Sequence, residues 1–148
     1  MAQVVTRTAT RMGLPLDRLQ RLVENIGAQL VPKPETLELL NEWKERRDQG
    51  ADVRLYYLSN MPAPYARVLE LRHEFLNWFD GGIFSGDVNL IKPDAAIYKL
   101  LQRQYHLEPD RTVFIDDLAR NIAAAQELGW QGILFDHAGD LRKKLLNM

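Results

Sequence analysis

Residues 112–121 read Thr-Val-Phe-Ile-Asp-Asp-Leu-Ala-Arg-Asn (TVFIDDLARN), and this stretch decides the fold. TVFI (112–115) is short, β-branched and aromatic, which is the pattern of a strand buried on both faces. Two carboxylates follow at once. Helical spacing resumes from Leu118 to Leu128 and ends at Gly129, and GILF (132–135) is a second short apolar strand. Strand, helix and strand in so short a span make a parallel βαβ unit.

The same alternation extends outward in both directions. Asp94 to Tyr105 reads as a helix with Ile97, Leu100 and Leu101 on its buried side, and Ile83 to Ser85 as a short strand. Pro64 to Phe79 reads as a helix after the strand VRLYYL (53–58). Glu35 to Arg47 is a helix with Leu37, Leu40 and Trp43 on one side and a stop at Gly50. The prolines of VPKP (31–34) separate it from an earlier helix, where Leu19, Leu22, Val23, Ile26 and Leu30 share a face and Asp17 is placed as N-cap. Asp140 to Asn147 closes the chain as a helix. The fold class is therefore α/β: a Rossmann-like parallel sheet with flanking helices, whose working residues belong just past the carboxyl ends of the strands.

Composition narrows the function classes. The 148 residues are 46% hydrophobic and 26% charged, the balance of an ordinary globular protein rather than a disordered or fibrous one. A formal net charge of -1 makes no electrostatic case for a nucleic-acid or anionic-membrane partner. Zero cysteines exclude disulfides, thiolate metal sites and cysteine nucleophiles, and fit a cytoplasmic location. No apolar run reaches the ~20 residues of a membrane-spanning helix.

Three features stand where the fold rule directs attention. Ser59 and Asn60 end the first strand before Met61-Pro62 and a helix, so hydroxyl and backbone N–H groups gather as an anion cradle. The alternative is a plain turn and cap. Lys92 precedes Pro93, which is expected to set the helix start, and it offers a point charge to an anion or to nearby carboxylates. The alternative is a solvated lysine. Asp116 and Asp117 repel each other at the end of a buried strand unless a cation compensates, and hard oxygen ligands of this kind suit Mg²⁺. Asn121 lies near the first turn of the next helix as a supporting group. An Asp N-cap with a solvated neighbour is the competing reading.

Taken together, YYLSN (56–60), IKPDAAIY (91–98) and VFIDDLARN (113–121) resemble the haloacid dehalogenase-like (HAD) hydrolase superfamily. The resemblance covers roughly residues 30 to 136 and is strongest to helical-cap phosphatases of the glucose-1-phosphate phosphatase-like branch. It implies a helical cap remnant over 1–33 and an α/β core over 34–148. It also implies phosphomonoester hydrolysis through an aspartyl-phosphate, with Mg²⁺ as cofactor and a small phosphorylated metabolite as substrate. Ser59, Asn60 and Lys92 would hold the phosphate, with Ser59 and Lys92 catalytic. Asp117 would bind Mg²⁺ most directly, Asp116 directly or through water, and Asn121 would support them.

The resemblance departs at one place. The family's first motif, Asp-x-Asp at the end of the sheet's central strand, supplies nucleophile and general acid. No apolar strand ending in Asp-x-Asp precedes Ser59, and residues 1–30 hold one aspartate, Asp17. The core is therefore expected to lack its first strand and the chain to lack turnover. A shortened reading frame and a non-catalytic phosphate-binding or scaffold relative both explain this, and the persistence of the other motif residues favours the first. A 2-haloacid dehalogenase is a further reading, disfavoured because a metal-free enzyme has no use for paired carboxylates. Two strand edges left bare in mid-sheet would pair together, recruit another chain as in a homo-oligomer, or aggregate. His73, His106 and His137 share no metal spacing and read as structural.

Overall fold

The computed structural model describes residues 30–148, together with Pro15, Asp17, Arg21 and Asn25. The expected apolar face of the first helix, except Leu30, lies outside the described residues. Asp17 is in helical conformation and pairs with Arg21 one turn on, rather than serving as the expected N-cap.

Helix α1 spans Pro34–Asp48 and starts on the proline of VPKP. It stops where Gly50 takes φ +97°, with the Ala51 N–H closing back on the Arg46 carbonyl. Strand β1 is Tyr56–Ser59, so the strand begins at Tyr56 rather than at the expected Val53 and takes in Ser59. The expected long helix after it is two elements: α2 (Ala63–Arg72) and a 3₁₀ segment, Glu74–Trp78, divided at extended His73. Strand β2 is Gly81–Phe84, and Ser85 begins a short helix, α3 (Ser85–Val88), instead of ending the strand. Helix α4 is Ala95–Tyr105. Its start is set by Asp94, whose carboxylate accepts from the Ala96 N–H at 2.9 Å, so Pro93 stands outside the helix and the expectation that it forms the first turn is corrected. Strand β3 is Val113–Asp116, helix α5 Ala119–Glu127, strand β4 Gln131–Leu134 and helix α6 Ala138–Leu146.

Both strand pairs are parallel, β1 with β2 and β3 with β4, and among the described residues they form two separate two-stranded sheets. One face unites them. Ile83 of β2 and Phe114 of β3 join Ile97, Tyr98 and Leu101 of α4, Ile122 and Ala125 of α5, and Trp130 in a single buried cluster. Tyr98, Phe114 and Trp130 meet edge to face at centroid distances of 5.3 to 6.1 Å. The other face is covered by α1 and α6, where Leu39, Ile133, Ala138 and Leu141 are buried and Arg142 binds Glu42 through two nitrogens. On α1 the buried residue is Leu39. The expected face of Leu37, Leu40 and Trp43 instead lines an open cavity of about 880 Å³ between the two sheets.

Candidate functional site

The carboxyl ends of β1 and β3 meet through Lys92. Its Nζ donates to Asp116 Oδ2 at 2.6 Å, with only 10% and 6% of the two side chains exposed. The opposite oxygen, Asp116 Oδ1, accepts from the Leu118 N–H at 2.9 Å and from Asn121 Nδ2 at 3.0 Å. Burial pushes the Asp116 carboxyl up, yet the hydrogen bonds from Lys92, Leu118 and Asn121 outweigh it and hold the group below the usual carboxylate range. Asp116 is thus a fixed anion that aims the lysine, and the Asp N-cap reading is set aside because α5 has no side-chain cap.

Lys92 is also held by its backbone. The Asn60 side chain accepts from the Lys92 N–H at 2.8 Å and donates to the Lys92 carbonyl at 3.0 Å, across a turn whose Lys92–Pro93 peptide is cis. Asn60 therefore spends its amide on positioning the lysine loop. Its own backbone N–H and the half-buried Ser59 hydroxyl have no partner among the described residues, and they lie one strand away from Lys92 at the mouth of the same sheet.

Two residues that sequence reasoning misses shape this turn. Ser85, buried at the end of β2, accepts from the Met61 N–H at 3.0 Å and pins the loop between β1 and α2. Beside it, a Cβ on Gly86 would stand 2.2 Å from the Ala63 nitrogen, so only glycine lets the backbones of 61–63 and 86 approach. Neither signal is visible along the chain, because Ser85 and Gly86 act across the sheet pairing. Tyr98, which the sequence marks only as the end of IKPDAAIY, belongs here as well. It is fully buried, donates to the Asn121 carbonyl at 3.0 Å, and burial pushes its hydroxyl up to about 12.

The donor chemistry fits a magnesium ion held in the usual sparing way, by one or two carboxylates with water and phosphate completing the shell. Asp117 is exposed at the β3 end and free to bind, whereas both Asp116 oxygens are already taken. No group of three His, Asp or Glu side chains able to cage a metal occurs among the described residues. Buried Asn121 keeps its Oδ1 without a hydrogen-bond partner beside this pair, a further hard oxygen next to the site. The histidines take no part: His106 caps α4 in the left-handed region, His137 Nδ1 accepts from the Asp140 N–H at 3.2 Å to start α6, and His73 ends α2.

The site is thus a lysine–aspartate pair beside open donors at the carboxyl ends of the strands of a parallel α/β layer, where such folds place their working residues. The model of the haloacid dehalogenase-like hydrolase family matches residues 5–129, and the chain belongs to that family. It is 30% identical to a sesquiterpene phosphatase of Aspergillus oryzae over 84% of this chain and 61% of that protein. The chain thus spans about three-fifths of the length of this relative. A shorter region, 47% of the chain, is 37% identical to 13% of a bifunctional epoxide hydrolase 2 of Rattus norvegicus. Among solved structures, a HAD family enzyme of Bacteroides thetaiotaomicron in complex with magnesium and inorganic phosphate aligns with TM-score 0.71 and 23% identity, covering 88% of this chain and 67% of that one. A HAD phosphatase of Thermococcus onnurineus aligns with TM-score 0.68 and 21% identity, covering 97% and 87%.

Proposed function

We propose that this chain carries the phosphate-anchoring and magnesium-holding groups of a phosphomonoester hydrolase acting on small phosphorylated metabolites. The observation that carries the reading is the buried Lys92–Asp116 pair, locked by Asn60 and Asn121, at strand ends that also present the Ser59 hydroxyl and Asn60 N–H. Lys92 is positioned to neutralise phosphoryl charge, and its hydrogen bond to Asp116 keeps it aimed. Ser59 and the Asn60 N–H donate to phosphate oxygens. Asp117 holds Mg²⁺, which when bound supplies further charge neutralisation to the phosphoryl group. Asp116 serves here as the anchor of Lys92, and Asn121 supports both. The phosphatase name of the Aspergillus relative and the magnesium and phosphate in the Bacteroides structure support the same chemistry.

Hydrolysis through an aspartyl-phosphate needs a carboxylate nucleophile from an Asp-x-Asp strand, and this sequence contains no Asp-x-Asp. The 148-residue chain is therefore expected to bind phosphate without turning substrate over. Titration calorimetry with inorganic phosphate and Mg²⁺ tests the anchor: saturable binding that weakens at least tenfold in Lys92→Ala and in Asp117→Asn is expected. Absence of any phosphate binding overturns the assignment. Incubation with p-nitrophenyl phosphate, or with a sesquiterpenyl monophosphate, tests the nucleophile. Magnesium-dependent phosphate release at enzymic rates would overturn the claim that the chain lacks one.

A further inference from the structure

Lys92 and Asp116 reach each other from the starts of two different helices. Lys92 lies in the loop that leads into α4, and Asp116 ends β3 just ahead of α5. How closely the two side chains meet therefore depends on how α4 and α5 sit against each other. Among the described residues a single hydrogen bond joins these helices, from the Tyr98 hydroxyl to the Asn121 carbonyl at 3.0 Å.

Tyr98 meets the pair from both sides. Through Asn121 it stands behind the carboxylate, because the Asn121 side chain donates to Asp116 Oδ1 at 3.0 Å while its carbonyl accepts from the tyrosine. Through Phe114 it stands under the ammonium. The Tyr98 ring packs edge to face on Phe114 at 5.3 Å, and Lys92 Nζ lies over that same Phe114 ring, 5.6 Å from its centre. An aromatic face attracts a cation, so the setting of Phe114 is part of what holds the lysine.

The hydrogen bonds close a circuit: Lys92 to Asp116, Asp116 to Asn121, Asn121 to Tyr98, and back to Lys92 along the first turn of α4. A buried polar network is rigid when each member has its partner. Tyr98 is 0% exposed, so its hydroxyl relies on the Asn121 carbonyl rather than on solvent. Burial, with a smaller push from the Asp116 charge, raises that hydroxyl to about 12 and keeps it a donor at neutral pH. Phenylalanine would serve the apolar cluster equally well; the hydroxyl serves Asn121.

We infer that Tyr98 is a positioning residue of this site: its hydroxyl fixes the start of α5 against α4 and so sets the aim of the Lys92 ammonium at an anion bound at the strand ends. Groups that recognise a ligand need to be held within about 0.5 Å of their productive place, which is the service a buried tether provides. The anion belongs to the function proposed above, and the inference rests on that reading to this extent; the circuit itself does not.

The test is Tyr98→Phe in the full chain, which keeps the ring and removes the hydroxyl. Lys92 is followed through its ammonium protons in a low-temperature spectrum of ¹⁵N-labelled lysines, with Lys92→Ala to assign the signal. Hydrogen-bonded and only 10% exposed, this ammonium is expected to exchange slowly in the native chain. At least fivefold faster exchange is expected in Tyr98→Phe, with inorganic phosphate bound at least fivefold more weakly in calorimetry. Leu101→Val, on the same helix and in the same cluster but without a bond to Asn121, is expected to change neither. Para-aminophenylalanine in place of Tyr98 returns a donor to the ring and is expected to restore both readouts. Unchanged lysine exchange in Tyr98→Phe overturns the inference. So does an equal effect of Leu101→Val, which would mean lost packing, or a native Lys92 that exchanges as fast as a surface lysine. Slow exchange that Tyr98→Phe speeds up, in a chain that binds no phosphate, upholds the tether and overturns the proposed function instead.

Discussion

The two faces of the sheet layer teach opposite lessons about one sequence. On the α4–α5 face both half-sheets share a closed core in which Ile97 and Tyr98 are wholly buried and three aromatic rings interlock. On the α1–α6 face a smaller cluster packs under β3 and β4, while the apolar residues opposite β1 look into about 880 Å³ of open space. The first face holds the halves together; the second leaves backbone and side chains available. The larger buried cluster lies on one side of the layer and the open cavity on the other.

The sharpest way to break that comparison is a pair of truncations read by urea denaturation. Ile97→Ala removes methylenes from a site with no room to relax and is expected to cost about 3–4 kcal/mol. Leu40→Ala trims a cavity wall and is expected to cost about 1 kcal/mol or less. Equal losses would show that the open face is filled in solution.

The next effect belongs to the link between the halves. Lys92→Met strands the buried Asp116 carboxylate and is expected to cost about 3 kcal/mol in the same assay. Asp116→Asn in the Lys92→Met background should recover part of that loss, since the uncompensated charge is gone. A loss in the single variant near zero would mean that the pair is hydrated and the halves are held by the aromatic core alone.

The pH dependence of the pair sharpens this further. Asp116 has its carboxyl held low in the folded state, so its contribution is complete above the ordinary carboxylate value of about 3.9 and is lost as pH falls through the depressed folded value. Denaturation series from pH 6 downward should show a constant gap between the native chain and Asp116→Asn until that point, then convergence. A gap that closes well above pH 4 would contradict the lowered value. The smallest expected effect is at the turn: Ser85→Ala leaves the Met61 N–H without its side-chain acceptor and is expected to cost about 1 kcal/mol, with weaker phosphate binding in calorimetry.

Much of this is legible without coordinates, because short apolar runs between amphipathic segments leave few topologies. The strand and helix around TVFIDDLARN fall within a residue or so of their reading, and Lys92, Asp116 and Asn121 do converge. Where sequence and structure part, a tertiary contact decides. Asn60 reads as a phosphate-side residue, yet its amide is spent on the Lys92 loop across 32 positions of sequence. Pro93 resembles a helix start, but the Asp94 side chain supplies a better one. The helix expected from Pro64 to Phe79 breaks at His73, which periodicity does not mark.

By itself, then, the amino-acid sequence determined the α/β alternation and the strand-end placement of Ser59, Asp116 and Asp117, since these follow from local hydrophobic period and residue type. Tertiary structure alone decided that both oxygens of Asp116 are engaged, that the Asn60 amide is spent on the Lys92 loop, and that Ser85 and Gly86 shape the turn after β1. Those properties depend on groups far apart in the chain meeting at hydrogen-bond distance or failing to meet, and no local pattern encodes them.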